Sequence, residues 1–462
     1  MRASLSQLMP TMAGATLTRD AKFSGVSTNS RSLSADSLFV ALRGERFDGH
    51  DFLAQVAAMG VAAVVVEKLP AGWTLPAIIV PNTLVALGQI ANYWRRQFAL
   101  PVICVTGSNG KTTVKEMIAS ILAAVFGDGH LATRGNLNNE IGVPLTLLRL
   151  EPAHQMAVVE LGMNHPGEIA RLCAIAQPTL ALVNNAQREH QEFMHTVEAV
   201  ARENGAALAA LPPNGVAVFP EGDEFTSLWR TISGKRRVLT FAPAREGMAS
   251  AADISCTYRA NAFGSDMAIS VRTDAEPLQF LVRLAAAGEH NVCNALAAVA
   301  CTFGAGVGID AIQRGLQAFA PANGRLQKHT APNGAIIIDD SYNANPDSVR
   351  AAIDVLAQAP TPRFLVLGEM GEVGTQGRQF HEEIGAYAMS KGIEHVLTTG
   401  ELTRHVSGTN VVYFEQFDAL LAALDAHLAG NSGATVLIKG SRFMKMERVV
   451  QHLIGSQNKE NQ

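Results

Sequence analysis

Cysteine is sparse and unpatterned in this chain of 462 residues. The five, Cys104, Cys173, Cys256, Cys293 and Cys301, are odd in number and form no C-x-x-C pair, so they read as reduced, mostly buried thiols of a cytoplasmic protein. Long apolar runs are missing too. None approaches the roughly 20 residues of a membrane span. The opening MRASLSQLMPTMAGATL is interrupted by Ser6, Gln7 and Pro10, so no membrane insertion is expected. Neither sign of charge is in excess. Lys and Arg number 37 against 41 Asp and Glu, and the resulting −4 makes no electrostatic case for nucleic acid or an anionic membrane. No short period repeats. What remains, 48% hydrophobic and 17% charged residues, is the composition of a soluble globular protein, long enough for about three domains that each bury a core.

Three blocks follow from the pattern, with limits at 1–81, 82–318 and 319–462. The first mixes short strands (LFVAL, AAVVVE, AIIVP) with helical HDFLAQVAAMG. The second opens with the helix TLVALGQIANYWRRQF and alternates strand-like runs (QMAVVELG, TLALVNNA, GVAVFP, RRVLTFA) with helices, which predicts a mostly parallel sheet. From Asp253 to Ala285 the period becomes two, as in an antiparallel extension, before the Ala-rich helix EHNVCNALAAVACTFGAG. The third block alternates again through AIIIDDSY, RFLVLGEM, HVLTTG, NVVYFE and TVLIKGS, a smaller doubly wound unit without a glycine loop of its own. The fold class is α/β in three domains: a small N-terminal α/β unit, a central phosphate-loop sheet with an antiparallel extension, and a C-terminal Rossmann-like unit. The polar tail GSQNKENQ is expected to fray.

The stretch PVICVTGSNGKTTVKEMIASILAAVF places two glycines and a lysine between a β-branched strand and a helix. Unpaired N–H groups at a helix start carry roughly half a positive charge, and glycines let the backbone curl around a phosphate. Lys111 adds a full charge, and the Thr112 hydroxyl offers a ligand for Mg2+. The spacing is a variant, since Val105 stands where the longer phosphate-loop pattern has its first glycine. A plain turn is the alternative.

Other candidates sit where a doubly wound sheet opens onto its ligand crevice, at strand ends. Glu160, in VVELGMNHPGE, could hold Mg2+ beside phosphates or be a surface glutamate at a turn. NNAQREHQEF gathers Asn184, Asn185, Glu189, His190 and Glu192, donors suited to a second divalent ion, though a loop histidine among charges is commonly just solvated. GNLNNEIGVP offers Asn138 and Asn139 to an uncharged polar ligand, or to turns. IIIDDSYNANP brings Asp339, Asp340, Tyr342, Asn343 and Asn345 before a helix, for a base or ribose, or for capping by Asn345. In IKGSRF, Lys439 and Arg442 could meet a phosphate or carboxylate, or be surface charges.

Taken in order, GVSTNSRSL, LFVALRGERFDGHDF, TGSNGKTTVKEM, GNLNNEIGVP, ELGMNHPGEI, GEHNVCNALAA, GRLQ, DDSYNANPDS and KGSRFMKME resemble the Mur ligases of bacterial cell-wall synthesis over nearly the whole chain. The resemblance is strongest to those members that add a dipeptide. It implies an ATP-dependent ligase that joins D-alanyl-D-alanine to UDP-N-acetylmuramoyl-tripeptide through an acyl phosphate, as a monomer, with ATP and two Mg2+ ions. It further implies roles by position. Ser27, Ser30 and Arg31, with Asp48 and His50 of the Phe47 to Phe52 segment, would grip the UDP end of the substrate, and Asn29 stands where many relatives have aspartate. Thr106, Gly107, Ser108, Asn109, Gly110, Lys111, Thr112 and Thr113 would hold the ATP phosphates. Asn291 and Asn294 would lie near adenine, and Arg325, Asp340, Tyr342 and Asn343 would close on the nucleotide. Asn138, Asn139, Asn345, Lys439, Ser441 and Arg442 would meet the acceptor substrates. Lys111, Glu160 and His190 would be catalytic, with Thr112, Glu160 and His190 at the metals. The family's carbamoylated lysine falls at Asn204, which cannot form a carbamate, so Glu189 or Glu192 is expected to supply the missing charge. The rivals are a sister ligase adding one amino acid, a folate polyglutamate synthetase, and a nucleotide-binding regulator that never completes the ligation.

Overall fold

A computed structural model describes residues 1–45, 47–244 and 250–455; the tail expected to fray lies outside these from residue 456 on. Three main sheets follow one another along the chain. The first has five strands in the order Thr16–Leu17, Ala77–Ile79, Ala63–Val66, Leu38–Val40, Val26–Ser27, parallel except for the first. The second has nine, and its interior strand Val102–Thr106 lies parallel between Leu180–Val183 and Met156–Glu160. At one edge, Ile254–Asn261, Gly264–Val271 and Leu278–Leu284 form the antiparallel extension, as three strands. The third has six, with Ile336–Asp340, Thr435–Lys439 and Arg363–Leu367 side by side and parallel.

The β-branched run before the glycine loop is continuous because the central sheet is covered on both faces. Val102 and Cys104 point into one apolar core, Ile103 and Val105 into the other. Helix Lys111–Phe126 buries Val114, Met117, Ile118, Ile121 and Leu122 at helical spacing on the second face. The first core does not stop at the central sheet. It runs through Leu87, Ile90 and Ala91 of helix Thr83–Arg95 into Leu38, Val40 and Val65 of the first sheet. Asn82 caps that helix, its side chain accepting from the Val85 N–H at 3.0 Å.

All five cysteines are free, and burial pushes the thiols of Cys173, Cys256 and Cys293 up to about 12. Among the described residues no helix is long and apolar enough to cross a membrane. Because Leu87 is fully buried in the shared core, Leu87→Ala should lower unfolding free energy by roughly 2–5 kcal/mol. In a urea titration followed by circular dichroism the midpoint should shift, with the first two sheets lost in one transition.

Candidate active site

The glycine loop takes its shape from its own residues and from the asparagines around it. Gly107 has φ +131° and Gly110 φ +81°, conformations that side chains rarely adopt, and Gly110 is the N-cap of helix Lys111–Phe126. The loop's polar groups are braced by asparagines. Asn204, fully buried, accepts from the Thr106 hydroxyl at 2.5 Å and the Gly107 N–H at 3.0 Å. Its own amide donates to the Val200 carbonyl at 3.1 Å. Asn185 accepts from the Asn109 N–H at 2.8 Å, and Asn184 donates to the Asn109 carbonyl at 2.8 Å. Behind these, Asn184 donates to Asn294 at 2.9 Å, and Asn294 donates to Asn291 at 3.0 Å. The first N–H groups of the helix have no partner within it, so the cradle is suited to an anion.

Charge gathers around this cradle. The Lys111 ammonium donates to the Gly107 and Ser108 carbonyls at 2.5 and 3.0 Å and lies 3.2 Å from a Glu189 oxygen. Glu160 ends its strand with Oε1 accepting from Asn138 at 2.7 Å and from the Thr112 hydroxyl at 3.3 Å. Glu160 Oε2 and Glu189 Oε1 are buried with no hydrogen-bond partner among the described residues. His190, with φ +48°, places Nδ1 2.6 Å from Glu372 Oε2, and that imidazole draws the Glu372 carboxyl below its ordinary range. No cluster of three or more His, Cys, Asp or Glu residues forms a metal site by itself among the described residues.

The C-terminal sheet supplies the opposite wall. The Lys439 ammonium is buried, 2.5 Å from Asp340 and 2.9 Å from the Asn343 carbonyl. Burial lowers its pKa, and Asp340 counteracts this. Tyr342 lies between two guanidinium groups, Arg325 at 4.1 Å and Arg442 at 5.9 Å from its ring centre. Asn345 caps helix Pro346–Ala357 by accepting from the Ser348 N–H, and its amide also donates to Asn109 Oδ1 at 2.9 Å. The cap expected of Asn345 is therefore present, and the same side chain also ties the C-terminal block to the glycine loop. Ser441 accepts from the Gly371 N–H at 2.6 Å, and Arg442 pairs with Glu447 at 3.0 Å.

Two cavities, of about 800 and 860 Å3, meet at Asn109 and Gly110. The first is lined by Lys111, Thr112, Asn138, Glu160, His190 and Arg442 among others. The second runs past Phe241, Tyr258, His290, Asn291 and Asn294. The candidates of the first block lie outside both. Ser27 accepts from the Asn29 N–H and Asn29 from that of Arg31, within one loop. Asp48 accepts from the His50 N–H at 2.9 Å and from Arg43 at 2.9 Å, and His50 Nε2 accepts from the Glu67 N–H. Asn139 caps a turn, accepting from the Ile141 and Gly142 N–H groups. Glu192 is exposed. Gln187, Arg188 and Glu372 were not legible as site residues; Arg188 and Glu372 meet partners distant in the chain, and no motif marks such pairs.

A parallel sheet whose interior strand delivers a braced glycine loop, a lysine and a hydroxyl to a cleft walled by a second α/β unit defines a phosphate-loop, nucleotide-dependent enzyme. The comparisons narrow this. Residues 105–302 match the Mur ligase middle domain, residues 324–442 the glutamate ligase domain of Mur ligases, and residues 22–95 the Mur ligase family, catalytic domain. The chain is 39% identical to the UDP-N-acetylmuramoyl-tripeptide–D-alanyl-D-alanine ligase of Escherichia coli (strain K12), over 97% of this chain and 98% of that one. To the ligase of the same name from Haemophilus influenzae it is 36% identical, over 93% of each. Its structure is similar to that of MurF from Acinetobacter baumannii, at TM-score 0.90 and 34% identity over 99% of both chains. It is also similar to MurF ligase from Thermotoga maritima in complex with ADP, at TM-score 0.83 and 26% identity over 93% of this chain and 97% of that one. The chain belongs to the Mur ligase family.

A Cβ at Gly110 would stand 2.3 Å from Asn294 Oδ1 and 2.7 Å from Asn184 Nδ2. Gly110→Ala should therefore weaken ADP binding by about tenfold or more, through strain of ~1–3 kcal/mol at the loop. Calorimetric titration with ADP measures this, while an unchanged far-ultraviolet spectrum shows the fold intact.

Proposed function

We propose that this chain is an ATP-dependent ligase that joins D-alanyl-D-alanine to UDP-N-acetylmuramoyl-tripeptide in peptidoglycan precursor synthesis, the activity that its E. coli and H. influenzae relatives are named for. The observation that carries this reading is the meeting of two cavities at one braced glycine loop, with room for a nucleotide on one side and an acceptor on the other. We further place the enzyme in the cytoplasm as a monomer.

A carboxylate is a poor electrophile in water, and hydroxide is a poor leaving group. Transfer of the γ-phosphoryl group of ATP onto the tripeptide carboxylate gives an acyl phosphate and ADP. The dipeptide amine then attacks the acyl carbon, loses a proton, and inorganic phosphate departs. The protein's part is placement and charge neutralisation. Lys111 and the helix start hold the phosphates, Asn291 and Asn294 support the adenine side, and Arg325 and Tyr342 close over the nucleotide. Asn138, Lys439 and Arg442 orient the acceptors, while Ser27, Arg31 and the Asp48 to His50 turn grip the remote UDP end. Walling the cleft with the C-terminal sheet excludes water from the acyl phosphate.

The residues present fit divalent ions. Mg2+ is usually held by one or two carboxylates together with phosphate oxygens, and Glu160 keeps a buried, unpartnered oxygen beside the Thr112 hydroxyl. Thr112 and Glu160 would hold one ion, and His190 with Glu189 a second, where bound ions would screen charge on the transferred phosphoryl group. Asn204 contributes no charge, because its amide is neutral, and its oxygen is taken by the glycine loop. Of the two glutamates, Glu189 is buried and faces Lys111, whereas Glu192 is exposed; we assign the charge to Glu189.

Phosphate release from ATP tests the reading. It should require the UDP-muramoyl tripeptide and D-alanyl-D-alanine together, and release indifferent to the dipeptide would point instead to a nucleotide-binding regulator. A magnesium titration separates the glutamates. Glu189→Gln should raise the Mg2+ concentration for half-maximal turnover about tenfold, by removing one charged ligand, and Glu192→Gln should leave it unchanged.

A further inference from the structure

Arg188 lies in the loop after strand Leu180–Val183, and its guanidinium leaves the central block entirely. Nε lies 3.1 and 3.2 Å from the two carboxylate oxygens of Asp347, and Nη2 is 2.6 Å from Asp347 Oδ1. Glu383 takes Nη1 at 2.8 Å and Nη2 at 3.1 Å. The Arg188 backbone N–H also donates to Asp347, at 3.0 Å, and the guanidinium sits 5.2 Å from the centre of the Phe380 ring. Asp347 belongs to the first turn of helix Pro346–Ala357, and Glu383 to helix Gly377–Ser390, its Oε1 also accepting from Arg350 of the former helix at 2.8 Å. One side chain of the central block thus pins two helices of the C-terminal block.

The residues on either side of Arg188 grip the glycine loop. The Gln187 N–H donates to the Ser108 hydroxyl at 2.8 Å, its side-chain oxygen accepts from Asn109 at 2.6 Å, and Glu189 lies 3.2 Å from the Lys111 ammonium. A segment three residues long therefore has its flanks tied to the phosphate cradle and its middle tied to the C-terminal block. Other contacts also join the two blocks, among them Asn345 to Asn109, His190 to Glu372, Lys328 over the Phe263 ring at 4.0 Å, and Ala287 within the C-terminal apolar core. None of these engages two carboxylates on two helices. Bidentate pairing fixes orientation as well as distance, and the pair is only about a quarter exposed, at 24% for Arg188 and 23% for Asp347, which limits screening.

We propose that Arg188 is a positioning residue: a latch that seats the C-terminal block on the central block and couples that seating to the phosphate loop. Without the latch, the seated arrangement is a smaller fraction of the population, and any ligand needing both walls binds more weakly by that fraction. The kinetic consequence rests on the ligase reading; the conformational one does not.

Small-angle scattering and steady-state kinetics on the full chain test it, with Arg188→Ala, Arg188→Lys and the double variant Asp347→Asn/Glu383→Gln. Without ligand, wild type should have a smaller radius of gyration than the variants, and it should contract less than they do when a non-hydrolysable ATP analogue and UDP-muramoyl tripeptide are added. Arg188→Ala and the double variant should be larger without ligand and contract to the wild-type value with the analogue and UDP-muramoyl tripeptide. Their KM for ATP should rise about tenfold or more with kcat at saturation within about threefold, as expected for a lowered competent population. Arg188→Lys, able to meet one carboxylate at a time, should fall between. Melting curves on the double variant guard against misfolding of Arg188→Ala. Unchanged scattering in both variants overturns the latch whatever the kinetics. Expansion without a rise in KM overturns the coupling, and a wild type that performs no ligation defeats the ligase reading while leaving the scattering result to decide the latch.

Discussion

Holding a backbone bend at positive φ, with its amides turned toward a future anion, requires every other polar group of the bend to be satisfied by something rigid. Here that support is a set of asparagines, all buried except the half-buried Asn185. Asn204 reaches from helix Val197–Ala209 to the start of the loop, Asn184 and Asn185 reach from the neighbouring strand end, and Asn294 and Asn291 continue the chain of amides into helix Glu289–Gly304. An amide side chain both donates and accepts, so each can join two loop groups without carrying a charge into the interior. The full charges, Lys111, Glu160 and Glu189, are then left facing the cleft, where electrostatic work on a phosphate is needed.

That arrangement explains how a core enzyme scaffold tolerates an asparagine at position 204. Its side chain is wholly buried and fully engaged, closer in role to Asn184 than to a ligand. The buried carboxylate of Glu189 lies on the loop that also carries Arg188, and both charges have partners, Lys111 across the loop and Asp347 in the C-terminal block.

Much of the fold was legible in the sequence because period and burial agree. The unbroken apolar strand before Gly107 matches a sheet covered on both faces, and the period-two stretch from Asp253 matches strands with one face exposed. Glu160, Asp340 and Lys439 do end strands, as their runs predicted. Two-fold readings were harder. At Asn345 the cap is local and was legible, whereas its bond to Asn109 spans the two blocks and follows from no local pattern.

The chain by itself determined the elements and the chemistry at each strand end, because those follow from local spacing, turn residues and the demands of an anion at a helix start. Only the folded molecule decided which of those groups meet. Arg188 with Asp347 and Glu383, His190 with Glu372, and Asn204 with Gly107 are contacts between residues far apart in sequence. Such pairings are set by how helices pack on sheets and how one sheet seats against another, and no periodicity records that.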